Sequence, residues 1–337
     1  EVHMPFRPEG VVSRKADMTA ALEGCMPQGA VPFWEIHFHC WSKFSDREFI
    51  SGKPFLELPE SEREAVLQKN AEIMLEVAPK LGYSGVTVPD GPWDCPYTLP
   101  VESRLRLARI LKDHSPDFLV VGGQGGVIQP PGNSEQYLEF AYRLSDAPGE
   151  VDEMVKSSRE NGIVALQTMQ DAGVDVVYVA ADFCDNHGPF FNPEQMERWI
   201  LPSLSALAEH GRKIGMYVLL HCDGDLHPVL EDIAQTGLHG VQAIDPTANM
   251  DIARACEQVA GRMCLCGNVN CATLESDTPE AVYDNTGSIL NACKDGGRLI
   301  LGASNAVVGS VSKENYSAQV QAWRDHGAYG EDKGYER

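Results

Sequence analysis

Short runs rich in branched aliphatic and aromatic residues alternate with longer amphipathic stretches along nearly the whole sequence, and that rhythm leaves few folds open. The runs occupy 31–40, 85–90, 118–123, 174–182, 216–223, 240–245, 262–268 and 298–304. Helical stretches lie between them at 60–81, 193–213, 225–236, 250–259, 279–293 and 313–326, several opening on Asn-Pro, Thr-Pro or Ser start signals. Strands alternating with helices imply parallel strands, because a parallel pair needs a crossover connection. Eight repeats favour an α/β fold closed into a (β/α)8 TIM barrel over an open doubly wound sheet. The expected organisation is a helical lead-in over 1–30, with a short helix at 19–25, and one barrel domain over 31–337. The segment 129–161 is long for a simple connection and is expected to hold two helices or a lid.

Composition narrows the partners. The chain has 337 residues, 43% of them hydrophobic, and 49 acidic against 27 basic residues give a formal net charge of -22. Such a field repels phosphate backbones and anionic headgroups, so neither nucleic acid nor a membrane surface is an expected partner. No stretch reaches the roughly 18 apolar residues of a membrane span, and no secretory signal pattern opens the sequence, so a cytoplasmic protein is expected. The ten cysteines are too sparse for a secreted disulfide scaffold and are read as reduced thiols. The Gly122–Gly126 run follows the third candidate strand, and reads as a loop rather than a dinucleotide cradle.

In a barrel the side chains at the strand carboxyl ends face the site, so what each run ends with matters most. In Phe33-Trp34-Glu35-Ile36-His37-Phe38-His39, a period of two puts Glu35, His37 and His39 on one face. In His221-Cys222-Asp223 the same alternation aligns His221 with Asp223. Five further runs end at Asp90, Asp182, Asp245, Asn268 and Ser304-Asn305, which should ring one mouth. Imidazoles and carboxylates are ligand types that zinc takes, and an open coordination position makes such a metal a Lewis acid. The candidate metal ligands are Glu35, His37, His39, His221 and Asp223. The plainer alternatives are histidines bonded to rim carbonyls, Asp182 and Asp245 capping the loops that follow them, and Cys264 and Cys266 as core residues.

At Pro32-Phe33-Trp34-Glu35, His221-Cys222-Asp223-Gly224-Asp225, Gly267-Asn268-Val269-Asn270 and Gly297-Arg298-Leu299-Ile300-Leu301-Gly302 the sequence resembles the uroporphyrinogen decarboxylase family in its broad sense. The stretch with Gly188-Pro189 and Asn192-Pro193-Glu194 is similar to the family's loop after the fourth strand, and Lys313-Glu314-Asn315 to the start of its last helix. The resemblance runs from about residue 30 to the carboxyl end. It implies a barrel fold and one of two activities: decarboxylation, or zinc-dependent methyl transfer with corrinoid proteins. It also admits a homodimer. The decarboxylases carry an arginine-bearing segment after the first strand, whereas here His37-Phe38-His39-Cys40-Trp41 precedes the first arginine, Arg47. The zinc methyltransferases typically show His-x-Cys-Gly after the fifth strand; here Asp223 replaces that cysteine, and the eighth run ends Gly302-Ala303-Ser304. Harder oxygen ligands suit an ether oxygen better than a thiol.

The expected function is therefore demethylation of a small methylated compound, a methoxy aromatic being one candidate, with zinc in the site and the methyl group passed to the cobalamin-type corrinoid of a partner protein. Asp182, His221 and Asp223 are the expected catalytic residues, and Trp34, Asp90, Asp245, Asn268 and Asn305 the expected substrate contacts. Trp34, Trp41, Trp93 and Phe190 could wall an aromatic substrate. The rivals are a lyase acting on a smaller acid and anchored by Arg298, a metal-dependent hydrolase using His37 and His39, and a non-catalytic barrel that binds a corrinoid partner.

Overall fold

The computed structural model describes residues 14–90, 97–114 and 117–329. Among the described residues there are nine strands: β1 Gly85–Thr87, β2 Leu119–Gln124, β3 Val176–Ala180, β4 Cys184–Asp185, β5 Gly188–Pro189, β6 Tyr217–His221, β7 Gly240–Gln242, β8 Cys264–Val269 and β9 Leu299–Ala303. Seven of them form one curled, entirely parallel sheet in the order β1-β2-β3-β6-β7-β8-β9, while β4 and β5 make a small antiparallel hairpin. The strands are nearly continuous apolar runs because helices cover their outer face and side chains fill the inner one.

The helices are α1 Arg14–Glu23, α2 Gly52–Leu56, α3 Glu60–Leu81, α4 Val101–His114, α5 Ser134–Asp146, α6 Pro148–Asp171, α7 Pro193–Gln195, α8 Leu201–Ile214, α9 Leu230–Gln235, α10 Ile252–Val259, α11 Cys271–Ser276, α12 Pro279–Cys293 and α13 Lys313–His326. Their starts follow the sequence signals. Asn192, Thr278 and Ser312 each accept a backbone N–H of the first turn, and Asn192 with Gln195 completes a reciprocal capping box. The long segment after β2 is two helices, α5 and α6.

The expected first strand does not form. Residues 31–39 run irregularly between the two edges of the sheet and fill the eighth position with a few bonds. Trp34 N–H donates to the Leu301 carbonyl at 2.9 Å, Leu301 N–H to Pro32 at 2.8 Å, and on the other side Ser84 N–H donates to Phe33 at 2.7 Å. The hydrogen-bonded sheet thus has seven strands, TIM-barrel-like, rather than the eight expected. Without a regular pleat the expected alternation holds only in part, with the His37 and His39 rings stacked at 6.2 Å and Glu35 turned away from them. Trp34 and Ile36 point into the barrel with Met18, Ala21 and Leu22 of α1, whereas Phe33 and Phe38 join the outer core under α3 and α13.

The cysteines correct a second expectation. Cys256 of α10 and Cys293 of α12 are joined in a disulfide, so they are not reduced thiols. Cys264 and Cys266 are buried in the inner core as expected, the Cys264 thiol donating to the Ala21 carbonyl at 3.0 Å. No described helix is long and apolar enough to cross a membrane.

Candidate active site

The carboxyl ends of β3 and β6 lie side by side, with Ala180 in register with His221. Beyond that pair the two chains continue together, since Ala181 N–H donates to the His221 carbonyl at 2.9 Å. This brings Asp182 over Asp223, whose N–H donates to Asp182 Oδ1 at 3.1 Å. The turn that follows needs Gly224: its φ is +98°, and a Cβ there would stand 2.6 Å from the Cys184 carbonyl carbon. One ligand atom from each of Asp182, His221 and Asp223 lies within 4.8 Å of the others.

Hydrogen bonds decide which of these atoms remain open. Gln242, at the end of β7, donates from its amide nitrogen to the Ala303 and Ser304 carbonyls, both at 3.2 Å. Its amide oxygen must therefore accept, and its partner is His221 Nδ1. The proton of neutral His221 is thus held on Nδ1, leaving the Nε2 lone pair toward Asp223 Oδ1, 4.0 Å away. Asn305 donates to Asp223 Oδ2 at 2.8 Å. Asp223 Oδ1 is buried with no hydrogen-bond partner. Burial pushes the Asp223 carboxyl up from its ordinary range and the charges of Asp182 and Asp245 add to this, against the opposing influence of His221 and Asn305.

An orphaned buried carboxylate oxygen, an imidazole lone pair fixed by its tautomer and a second carboxylate on the exposed side are what a divalent cation requires. The residues present fit a metal, with Asp182, His221 and Asp223 as the holders. Glu35, His37 and His39 are not brought to this group. Glu35 is fully enclosed, its Oε1 accepting from Tyr316 and Gln319, both at 2.9 Å, and its Oε2 from Ala303 N–H at 2.7 Å. Burial holds it protonated up to about 7.

His37 belongs to a neighbouring cluster. Tyr178 donates its hydroxyl proton to Asp90 Oδ1 at 2.6 Å, so the phenol oxygen accepts from His37 Nε2 at 2.8 Å, and Nε2 also lies 3.1 Å from Asp90 Oδ1. That nitrogen therefore carries a proton and offers no lone pair. Gly123 N–H donates to the other Asp90 oxygen. The Tyr178 ring stands 6.1 Å from that of His221, which places this cluster directly beside the metal-fitting group. His39 stacks on Tyr97 at 3.8 Å, and burial, with the charge of His37 adding, lowers it to about 4. His39, Tyr97, Trp41 and Phe49 line a tight pocket with a volume of about 20 Å³.

Of the other expected contacts, Asp245 caps the short turn Pro246–Ala248, accepting from the Thr247 N–H and hydroxyl. Asn268 donates to the Ile244 carbonyl at 2.9 Å and keeps a buried Oδ1 with no partner. Trp34 is 2% exposed and donates to Thr87 inside the barrel, below the mouth. Phe190 packs on Tyr137 and Phe140 of α5, and Trp93 lies outside the described residues. Two participants were not anticipated, Gln242 and Tyr178. Each is a buried polar residue inside an otherwise apolar strand, and that was the available signal, since such a group must find a partner.

The family model for uroporphyrinogen decarboxylase (URO-D) matches residues 129–326, more than half of the chain and including β3, β6, β7, β8 and β9. The chain belongs to the uroporphyrinogen decarboxylase family. Among solved structures, a methyltransferase from Methanosarcina mazei is similar over 93% of this chain and 98% of that one, with a TM-score of 0.66 and 17% identity. A Listeria monocytogenes protein described as a vitamin-B12 independent methionine synthase is similar over 90% of this chain and 97% of its own, with a TM-score of 0.54 and 14% identity. At these identities the likeness is one of fold. No curated protein matches the sequence.

Proposed function

We propose that this uroporphyrinogen decarboxylase family member is a methyltransferase that removes the methyl group of a small methylated compound, of the aryl methyl ether class, and delivers it to the reduced cobalt of a corrinoid on a separate protein. The bond between heteroatom and methyl breaks with its electron pair staying on the heteroatom, which then takes a proton. When bound, a zinc-like ion would supply a Lewis acid for the charge left on that heteroatom.

The chain's own residues do the rest. Gln242 fixes the His221 tautomer and Asn305 turns Asp223 so that its open oxygen faces His221. Asp182 is exposed at the mouth and joins His221 and Asp223 in holding the ion, and the departing oxygen takes its proton from solvent on that open side. Asp90, His37 and Tyr178 present a locked polar edge toward the substrate, and Trp41, Phe49 and Tyr97 give a flat apolar wall that excludes water. The observation that carries the proposal is the unpartnered Asp223 Oδ1 beside the bare His221 Nε2.

The decarboxylase alternative needs a cationic carboxylate anchor. Its candidate, Arg298, precedes β9 and therefore lies at the opposite end of the parallel sheet from His221, which ends β6. The proposal is tested by mixing zinc-loaded protein with Co(I) cobalamin and a panel of aryl methyl ethers, thioethers and methylamines. Formation of methylcobalamin, followed by absorbance and dependent on the ether, is the expected result. Turnover of any compound without corrinoid, or none across the panel, would sink it.

A further inference from the structure

A second cleft, open to solvent and with a volume of about 490 Å³, lies at the other end of the barrel, where the strands begin. Arg212, Arg262 and Arg298 line it, coming from the end of α8, the turn after α10 and the residue ahead of β9. The chain has 49 acidic against 27 basic residues, so three arginines lining one cleft make it a local exception in charge. None of these three forms an ion pair among the described residues, so their charge is not cancelled within the cleft.

Each of the three lies against backbone that positions it. Arg212 donates to the Gly237 carbonyl, and a Cβ at Gly237, where φ is +84°, would meet the guanidinium. Arg298 lies against Gly24, φ +78°, where a Cβ would overlap it. Arg262 donates to the Gln258 carbonyl at 2.8 Å. Each guanidinium has five N–H donors, so most of them remain unspent.

Of the other polar lining groups, His239 adds a donor and Glu23 one negative charge. His239 Nδ1 accepts from Val218 N–H at 3.0 Å, which puts the proton of the neutral ring on Nε2 and makes it a further donor. Burial and the nearby Arg212 charge keep that ring neutral, at about 4. The lining carboxylate, Glu23, is engaged by the Tyr217 hydroxyl at 2.7 Å.

We infer that this cleft binds a small ligand bearing two or more negative charges on phosphate oxygens, at a site separate from the barrel mouth. Three guanidinium forks from three elements surround a tetrahedral oxyanion, with many acceptor directions, better than they match one planar carboxylate. The strongly acidic remainder of the molecule repels such ligands, so binding is confined to this cleft and weakens with salt.

Calorimetric titration of pyrophosphate and of a nucleoside diphosphate into the full chain at low ionic strength tests the inference. Saturable binding to one site is expected, weakened at least tenfold in Arg298→Gln and in Arg212→Gln, and unchanged in Arg109→Gln on α4. Arg262→Gln, which alters an exposed side chain, serves where either of the first two fails to fold by circular dichroism. Equal affinities mean that the phosphates alone are recognised, and tighter nucleoside diphosphate binding means that the cleft also takes the nucleoside. Both results support the site. Absence of saturable binding to the unaltered chain, or equal binding by the folded cleft variants, overturns it.

Discussion

Gln242 controls the site through one proton. Its amide nitrogen is committed to two carbonyls at the end of β9, so its oxygen can only accept, and His221 must present Nε2 to the mouth. Gln242→Leu keeps the volume but removes that acceptor. Metal affinity is expected to fall roughly 10- to 100-fold, as for other lost supporting contacts, measured by competition with a chelating dye. Unchanged affinity would mean that the tautomer is not what Gln242 provides. Glu35 gives a residue-scale prediction of a different kind. Its folded value is raised to about 7 from 4.5, so the folded chain keeps a proton that the unfolded chain releases. The contribution is fully present below about pH 4.5 and is lost as pH rises to about 7, amounting to about 3 kcal/mol at roughly 1.4 kcal/mol for each pKa unit. Urea unfolding of the parent and Glu35→Gln should therefore differ in pH dependence between pH 4.5 and 7, the parent losing more stability as pH rises. Parallel profiles would refute this.

At the scale of elements, the irregular segment 31–39 carries His37 to the mouth and spans the two sheet edges. It can lie so close to β9 only because position 302 has no side chain: a Cβ on Gly302 would overlap the Trp34 carbonyl oxygen. Gly302→Ala is expected to cost about 2 kcal/mol or more in denaturant unfolding, while Gly296→Ala, with nothing within 4 Å of the added carbon, should change little. Equal effects would show that the segment yields easily. This segment also shows where sequence stops informing structure. The buried parallel strands were legible because burial on both faces demands continuous apolar runs such as 264–269 and 299–303. Helices α3, α12 and α13 have the bounds that their caps and periodicity predict. Residues 31–39 alternate apolar and polar side chains but make only scattered bonds to each edge, so the His37 and His39 rings still stack at 6.2 Å while Glu35 turns away into the core. The 193–213 helix contains a π turn over Met196–Ile200 just ahead of Pro202, which lacks an N–H for the regular ladder.

For the whole molecule, the barrel assembles its mouth from residues far apart in sequence. Pairing His221 with Asp223 was readable from a spacing of two, but bringing Asp182 to them depends on the β3–β6 register. The Gln242 and Tyr178 bonds depend on which strands become neighbours, and no local pattern states that. Because a metal held only by the folded mouth stabilises the fold by mass action, zinc at a hundredfold over its Kd should add about 2.7 kcal/mol. Thermal unfolding should shift upward with zinc in the parent, and not in His221→Ala; an equal shift in both would place the binding elsewhere. The central claim, that Asp182, His221 and Asp223 hold a metal ion, is tested most directly by elemental analysis of the purified protein beside His221→Ala and Asp223→Asn. Near-stoichiometric metal in the parent, lost from both variants while His37→Ala retains it, is the predicted outcome. Metal retained by His221→Ala and Asp223→Asn, or lost only from His37→Ala, would contradict the site as drawn.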